Sequence, residues 1–275
     1  MSNDDNPVTG RRFLSRTAYA DDRNLRARTA IFAYADASAD PGWRLSPVPW
    51  DGTQVVADVG CGNGFDLRRL VPAGRCRHAI GLDLSPGMLA SAGELRASGR
   101  LTLIQADAQR IPLGDGSVDV ALAMHMLYHV PDLPAAVREL RRIVRPGGTA
   151  LVSTNSAGSM SEVYDLFDAA ISAQLGHPVS ARPGPDFTLE TGGPALESEF
   201  GSVRMLRNEM PLAIPAAQPV IAYLGSVREP VMALIGEPLD FDAALAEVAA
   251  RVEQAIRVDG RFRTGHRSGV FVCGG

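Results

Sequence analysis

The sequence predicts a doubly wound α/β domain, a largely parallel sheet covered by helices on both faces. Three observations carry that reading. Short continuous apolar runs alternate with amphipathic helical stretches, the pattern of strands buried on both sides. The first run, "VVADV" (55–59), is followed at once by three glycines in five positions, Gly60, Gly62 and Gly64. The chain has 275 residues, 45% hydrophobic and 21% charged, a globular composition at a length that suits one large α/β domain with a smaller lobe.

Taken in order, residues 1–14 read as frayed. Ser15 to Ala37 reads as a helix rich in Ala, Arg and Leu, with Tyr19, Leu25, Ile31 and Phe32 as a broken apolar stripe. "DPGWRLSPVPWDG" is a loop, in which Trp43 and Trp50 either anchor the segment or line a pocket. The further runs "AIGLDL", "LTLIQA", "VDVALAM" and "TALVST" are strands, separated by helices over 64–71, 86–98 and 133–144. In the last of these, Leu133, Val137, Leu140 and Val144 recur at helical spacing, with Asp132 as N-cap and Pro146-Gly147-Gly148 as the stop. Beyond Asn155 come a helix near 159–175, a flexible connection "GHPVSARPGPDF", a short helix in "ALESEF" and a strand in "VRMLRNEMPLAI". Helices near 216–227 and 240–257 and a terminal strand in "RFRTGHRSGVFVCGG" complete the chain.

Composition narrows the function. A net charge of −4 gives no basic footprint for nucleic acid. The three cysteines, Cys61, Cys76 and Cys273, are odd in number and widely spaced, which argues against a disulfide framework and for a reducing compartment; they fit no zinc site. "MSNDDNPVTGRR" has no apolar core and is no signal peptide, and no run reaches the length of a membrane span. The expected location is the cytoplasm.

The glycine turn states what kind of ligand it serves. A dinucleotide site would carry G-x-G-x-x-G, with the third glycine packing the helix whose N-terminus holds a pyrophosphate. Here Phe65 occupies that third slot, and Asp58 precedes the glycines by two. A carboxylate there repels a phosphate and attracts an ammonium. The turn therefore suits a nucleoside with a cationic tail, unless the glycines serve turn chemistry alone.

"VVADVGCGNGFDLRRL" resembles motif I of the class I S-adenosylmethionine-dependent methyltransferases, and the resemblance continues. "AIGLDLSPGML", "LIQADAQRIPLGDGSVDVALAMHMLYHVPD" and "AVRELRRIVRPGGTALVST" are similar to that family's following strands, loops and helices, in the same order over about 54–155. The small-molecule branch, similar to the ubiquinone/menaquinone-type enzymes, matches best, and beyond Asn155 only its layout is shared. The resemblance implies a Rossmann-like sheet of seven strands with an antiparallel last strand, plus an N-terminal helix and a lid insertion. It divides the chain into an N-terminal helical cap (1–50), an S-adenosylmethionine-binding core (51–155) and a completion of the sheet (156–275) with a substrate lid at about 211–260.

It also implies roles for particular residues. Gly60 and Gly62 would let backbone approach the methionyl part of S-adenosyl-L-methionine, with Asp58 near its ammonium. Asp83 would accept from both ribose hydroxyls, and Leu84 would lie against the adenine. Asp107 would accept from the adenine amino group while Ala108 offers its N–H. Met124 or His125, at the end of the fourth strand, would touch the methionyl part and face the reacting centre, and Tyr19 and Arg28, from the N-terminal helix, are the candidates to close over the cofactor. The implied reaction is methyl transfer to a small or medium organic acceptor through O, N or C, in specialised metabolism. A cyclase or non-catalytic binder of the same fold, a nucleotide-cofactor oxidoreductase and a nucleic-acid methyltransferase are the rivals. The expected partner is a small-molecule substrate, without nucleic acid or membrane, and a homodimer is left open.

Methyl transfer needs a base only where the acceptor must lose a proton. The candidates are His125 and His129 in "AMHMLYHVPD", whose side chain type titrates near neutrality. His125 is the expected base and His129 an architectural residue of the loop. A metal held by the pair lacks a third ligand nearby in sequence. His177 and His266 carry no assignment.

Overall fold

The computed structural model describes residues 10–36, 40, 42–182 and 187–275. Strands β1 (Val55–Val59), β2 (His78–Asp83), β3 (Leu101–Gln105), β4 (Val118–Met124), β5 (Val144–Asn155), β6 (Ser202–Ile214) and β7 (Phe262–Gly274) form one sheet in the order β3-β2-β1-β4-β5-β7-β6. Strands β1 to β5 pair in parallel, whereas β7 runs antiparallel to both β5 and β6. This is the seven-stranded sheet with an antiparallel last strand that the resemblance implies. The apolar runs are continuous because successive residues feed opposite cores: Ala121 and Ala123 pack on one face of the sheet, Val120 and Leu122 on the other. The strand order reverses between β1 and β4, and a ligand crevice opens outside the carboxyl ends of strands at such a point.

The helices are α1 (Arg11–Phe13), α2 (Arg23–Ala30), α3 (Leu67–Leu70), α4 (Pro86–Ala92), α5 (Leu133–Ile143), α6 (Ser161–Leu175), α7 (Gly192–Glu197), α8 (Gln218–Gly225), α9 (Arg228–Ile235) and α10 (Phe241–Asp259). Helix α5 begins where Asp132 accepts from the Ala135 N–H, and it buries Ala136, Val137, Leu140 and Ile143 against the sheet. It ends one residue earlier than its apolar spacing suggests, because Val144 already pairs with Val118 of β4.

Three expectations are corrected. The helix expected over 15–37 is broken into α1, a π-helical turn Leu14–Ala18, α2 and a 3-10 turn Ile31–Tyr34, so residues 11–14 are helical rather than frayed. The break has a tertiary cause. The Ser85 hydroxyl donates to the Tyr19 carbonyl at 2.6 Å and the Asn24 amide to that of Ala18 at 3.3 Å, taking acceptors a continuous helix would use. Residues 1–9 and Ala37 lie outside the described residues, as do residues 183–186 of the flexible connection. The stretch over 64–71 is helical only at α3, because the chain is wound into turns before it. Helix α9 follows α8 after one short turn; the turn-forming Gly225, Pro230 and Gly236 disguise it in the sequence.

Residues 211–214 belong to β6, and the segment expected as a lid is built from α8, α9 and α10, of which α8 contributes Tyr223 to the cavity described below. These pack with α6 into one apolar core that includes Phe167, Val220, Leu224, Phe241 and Val248, and Ile31 of the N-terminal segment joins it. The Phe167 and Phe241 rings meet edge-on at 5.3 Å.

Candidate active site

A cavity of about 470 Å³ opens beyond the carboxyl ends of β1, β2 and β4. All twelve residues singled out from the sequence line it: Tyr19, Arg28, Asp58, Gly60, Gly62, Asp83, Leu84, Asp107, Ala108, Met124, His125 and His129.

The glycine turn is built as its composition demands. Gly60, Gly62 and Gly64 all have positive φ, at 70°, 54° and 80°. A Cβ on Gly60 would also lie 2.8 Å from the Met126 side chain. The turn is tied to β2 by the Gly60 and Cys61 N–H groups, which both donate to the Leu82 carbonyl at 2.7 and 2.9 Å. Phe65, in the slot a third glycine would fill, has the Arg69 and Arg44 guanidinium carbons 4.0 and 5.0 Å from its ring centre.

Two carboxylates frame this turn. Asp58 is 2% exposed and its Oδ1 has no hydrogen-bond partner. Burial, and then the neighbouring Asp66 and Asp83, hold its carboxyl well above the usual range, against the pull of Arg44. Asp83 is likewise pushed up by removal from water, although it accepts from the Gly62 N–H and the Ser85 N–H, each at 2.8 Å. A carboxylate has about four acceptor sites, so these bonds leave about half of its capacity for a ligand. Asp107 is more engaged: it accepts from the Gln109 backbone and side chain and pairs with Arg11 at 3.3 Å. A ligand amino group at Asp107 must therefore compete with Arg11.

The N-terminal segment closes the cavity through a chain of donors. Arg28 donates to the Tyr19 hydroxyl at 3.1 Å and to the Ser226 carbonyl at 3.2 Å. Tyr19 lies 2.8 Å from His129 Nε2. With its oxygen already accepting from Arg28, the phenol donates to His129, whose Nε2 lone pair is thereby occupied. Trp43 also lines the cavity, whereas Trp50 anchors its loop by donating to the Leu45 carbonyl at 2.8 Å.

His125 adopts a left-handed backbone conformation, φ 54°, fixed by its N–H donating to the Ser153 carbonyl at 3.0 Å. Such positions are uncommon for residues other than glycine and concentrate at functional sites. The expectation of a histidine titrating near neutrality is corrected here. Desolvation, aided by Arg44, holds His125 well below 6.5, and desolvation with Arg28 holds His129 at about 3. Both rings are neutral across the physiological range, so any rise of rate with pH assignable to them falls on the acid side.

Sequence reasoning missed several lining residues: Arg44, Asn155, Met210, Tyr223 and His266. His266 Nε2 lies 3.1 Å from Asn155 Oδ1, and desolvation and Arg44 lower its pKa to about 4. No local spacing announces these residues: the antiparallel pairing of β7 with β5 and β6 brings Asn155, Met210 and His266 together, while Arg44 comes from the turn before β1 and Tyr223 from α8.

The depressed histidines give stability a pH dependence. Below pH 6.5 the unfolded chain binds protons that folded His125, His129 and His266 refuse, so stability falls as pH drops from 6.5 toward 4. The slope is about 1.4 kcal/mol per pH unit for each histidine that stays neutral. Asp58 and Asp83, raised in the folded state, oppose this by taking up protons early. The double variant His129→Gln/His266→Gln should show a shallower fall in thermal midpoint between pH 6.5 and 4 than the parent. Identical slopes would contradict the assignment.

Part of the chain is similar to known proteins. Residues 57–152 match the family model of a methyltransferase domain. Over 144 residues the chain is 37% identical to a malonyl-[acyl-carrier protein] O-methyltransferase of Serratia marcescens, covering 52% of this chain and 54% of that protein. Over 142 residues it is 31% identical to an uncharacterized methyltransferase of Mycobacterium avium, covering 52% and 55%. The chain thus spans about half the length of the curated relatives it matches. Its fold is that of an N-methyltransferase of Haemonchus contortus solved with phosphomonomethylethanolamine and S-adenosylhomocysteine, at a TM-score of 0.55, 18% identity and coverage of 96% of this chain and 59% of that one. It is equally that of the [4+2]-cyclase SpnF, at 0.50, 16%, 92% and 95%. Residues 57–152 thus carry a methyltransferase domain.

Proposed function

We propose that the protein binds S-adenosyl-L-methionine in this cavity and transfers its methyl group to a small organic acceptor, in the cytoplasm. The observation that supports this best is Asp58: a buried carboxylate with an unpartnered oxygen, beside a glycine turn. An anion left unpaired in that position is costly, and a ligand ammonium relieves it. The residues present fit the cofactor. Asp58 takes the ammonium, Gly60 and Gly62 leave room for the methionyl chain, and the spare acceptor capacity of Asp83 takes the ribose hydroxyls. Leu84 and Ala108 flank the base, with Asp107 accepting from it once Arg11 yields. Met124 packs beside the methionyl chain.

When bound, the cofactor supplies a methyl on a sulfonium and a good leaving group. The chain supplies positioning, which is worth up to about 7–11 kcal/mol when reacting atoms are held in line, and it excludes water. Tyr19 and Arg28, fastened to His129 and Ser226, close the cavity from the N-terminal side. His129 serves as the anchor for Tyr19, and His125, whose ring faces the cavity, receives the acceptor's proton where one is released. A cyclase role is the second reading, favoured only by the shared fold with SpnF, and it predicts cofactor binding without turnover.

Replacing Asp58 with Asn tests the assignment with opposite signs. The variant should raise the thermal midpoint of the ligand-free protein, because an unpaired buried charge is removed. It should also weaken S-adenosylhomocysteine by about tenfold to a hundredfold, the loss of a hydrogen bond between charged groups. A variant that lost stability and kept full affinity would refute the role of Asp58.

A further inference from the structure

Beyond the cofactor residues, the cavity has an end with its own chemistry. His266 of β7 and Asn155, the last residue of β5, are joined by the 3.1 Å contact between Nε2 and Oδ1. The amide oxygen only accepts, so Nε2 carries the proton and Nδ1 is a bare lone pair. That Nδ1 is enclosed and has no partner. The Phe32 ring centre lies 4.6 Å from that of His266, and the His125 ring centre lies 6.4 Å from it. Arg44 is close enough to both imidazoles to oppose their protonation. Tyr223 completes the wall. A buried acceptor without a donor is costly, and a hydroxyl entering the cavity can supply one.

We propose that His266, oriented by Asn155, is a catalytic proton acceptor of this cavity beside His125, and that the methyl acceptor is a neutral hydroxyl on a flat, phenol-like or enol-like body. This rests on the cofactor reading above. An ionised carboxylate carries no hydrogen and would set its lone pairs against that of Nδ1. An ammonium would carry one, but Arg44 and the cofactor's sulfonium both repel it. A hydroxyl donates to Nδ1, and the Arg44 guanidinium, which pairs with Asp66 at 3.0 Å but keeps an unpartnered Nε, favours the negative charge that grows on its oxygen. The bonds balance. The oxygen lone pair forms the new O–C bond as the C–S bond breaks with its electron pair retained by sulfur. The hydroxyl proton moves to Nδ1. The positive charge lost at sulfur reappears on His266, which returns its proton to solvent after release. Phe32 and Tyr223 supply the apolar faces for the ring.

The test uses the full chain with 15N-labelled histidine, saturated with S-adenosylhomocysteine and titrated with phenol or benzoate. Long-range nitrogen–proton spectra read the tautomer of each ring. His266 should be the Nε2–H tautomer, its Nδ1 signal should move with phenol, and phenol should bind about tenfold more tightly than benzoate. Asn155→Leu should mix the tautomers and remove that preference, and His266→Gln should remove it too. An Nδ1 signal unmoved by phenol up to its solubility limit, or tighter binding of benzoate, overturns the proposal while leaving the cofactor reading intact. Failure of S-adenosylhomocysteine itself to bind overturns both.

Discussion

Replacing Asp83 with Ala is expected to weaken S-adenosylhomocysteine by a factor of at least about 10 to 150, measured by calorimetric titration. The lower end corresponds to ~1.5 kcal/mol and the upper to ~3 kcal/mol, the range for one hydrogen bond to a charged acceptor. The structure gives reason to expect more than one bond's loss. Asp83 holds the glycine turn through the Gly62 N–H and the start of α4 through the Ser85 N–H, so the substitution removes the ligand's acceptor and loosens the turn that cradles it. Asp83→Asn separates these contributions. Its amide keeps one acceptor oxygen but turns a donor toward one of the two N–H groups, so it should fall close to Ala in affinity. Affinity within twofold of the parent in both variants would show that the ribose lies elsewhere.

Gly87→Val should detach the N-terminal segment while leaving the sheet folded. A Cβ at Gly87 would sit 1.9 Å from the Ala20 carbonyl oxygen and 2.8 Å from its carbon. Backbone cannot rotate aside as a side chain can, so the whole Tyr19–Asp22 break must move. That break is also held by Ser85, whose hydroxyl donates to Tyr19 and also accepts from the Met88 N–H to cap α4. Moving it withdraws Tyr19 from His129 and Leu25 from its place over Gly62. The strain is of the overpacking kind, about 1–3 kcal/mol, and it is relieved by release of the segment rather than by unfolding. Cleavage by protease within residues 10–30 should become rapid, far-ultraviolet dichroism should stay near native, and cofactor affinity should drop by about tenfold or more. Unchanged protease resistance and affinity would mean that the segment is not seated on α4.

These two residues also show what the sequence made legible. Asp83 stands at the end of an apolar run, a fixed distance past a glycine turn, and both features are local. The strands were readable for the same reason, since burial on both faces leaves continuous apolar runs such as "VDVALAM". Gly87 gives no such signal, because what excludes its side chain is the Ala20 carbonyl, distant in sequence. The broken N-terminal helix is hidden likewise: Ala, Arg and Leu favour helix throughout, and the interruption follows from the bonds of Ser85 and Asn24 to its carbonyls and from the close approach of Gly87. His266 and Asn155 were hidden by topology. They meet because β7 lies antiparallel on β5, pairing Asn155 with Ser268, and that register is set by the whole sheet.

The central claim is that the glycine turn, with Asp58 and Asp83, serves S-adenosylmethionine and not a dinucleotide. The most direct measurement is calorimetric titration of the unmodified protein with S-adenosylmethionine, S-adenosylhomocysteine and NAD in turn. One saturable site for each of the first two, with no heat from NAD and no competition by it, is the predicted result. Absence of binding by both sulfur nucleosides, or a saturable site for NAD that excludes them, would contradict the account.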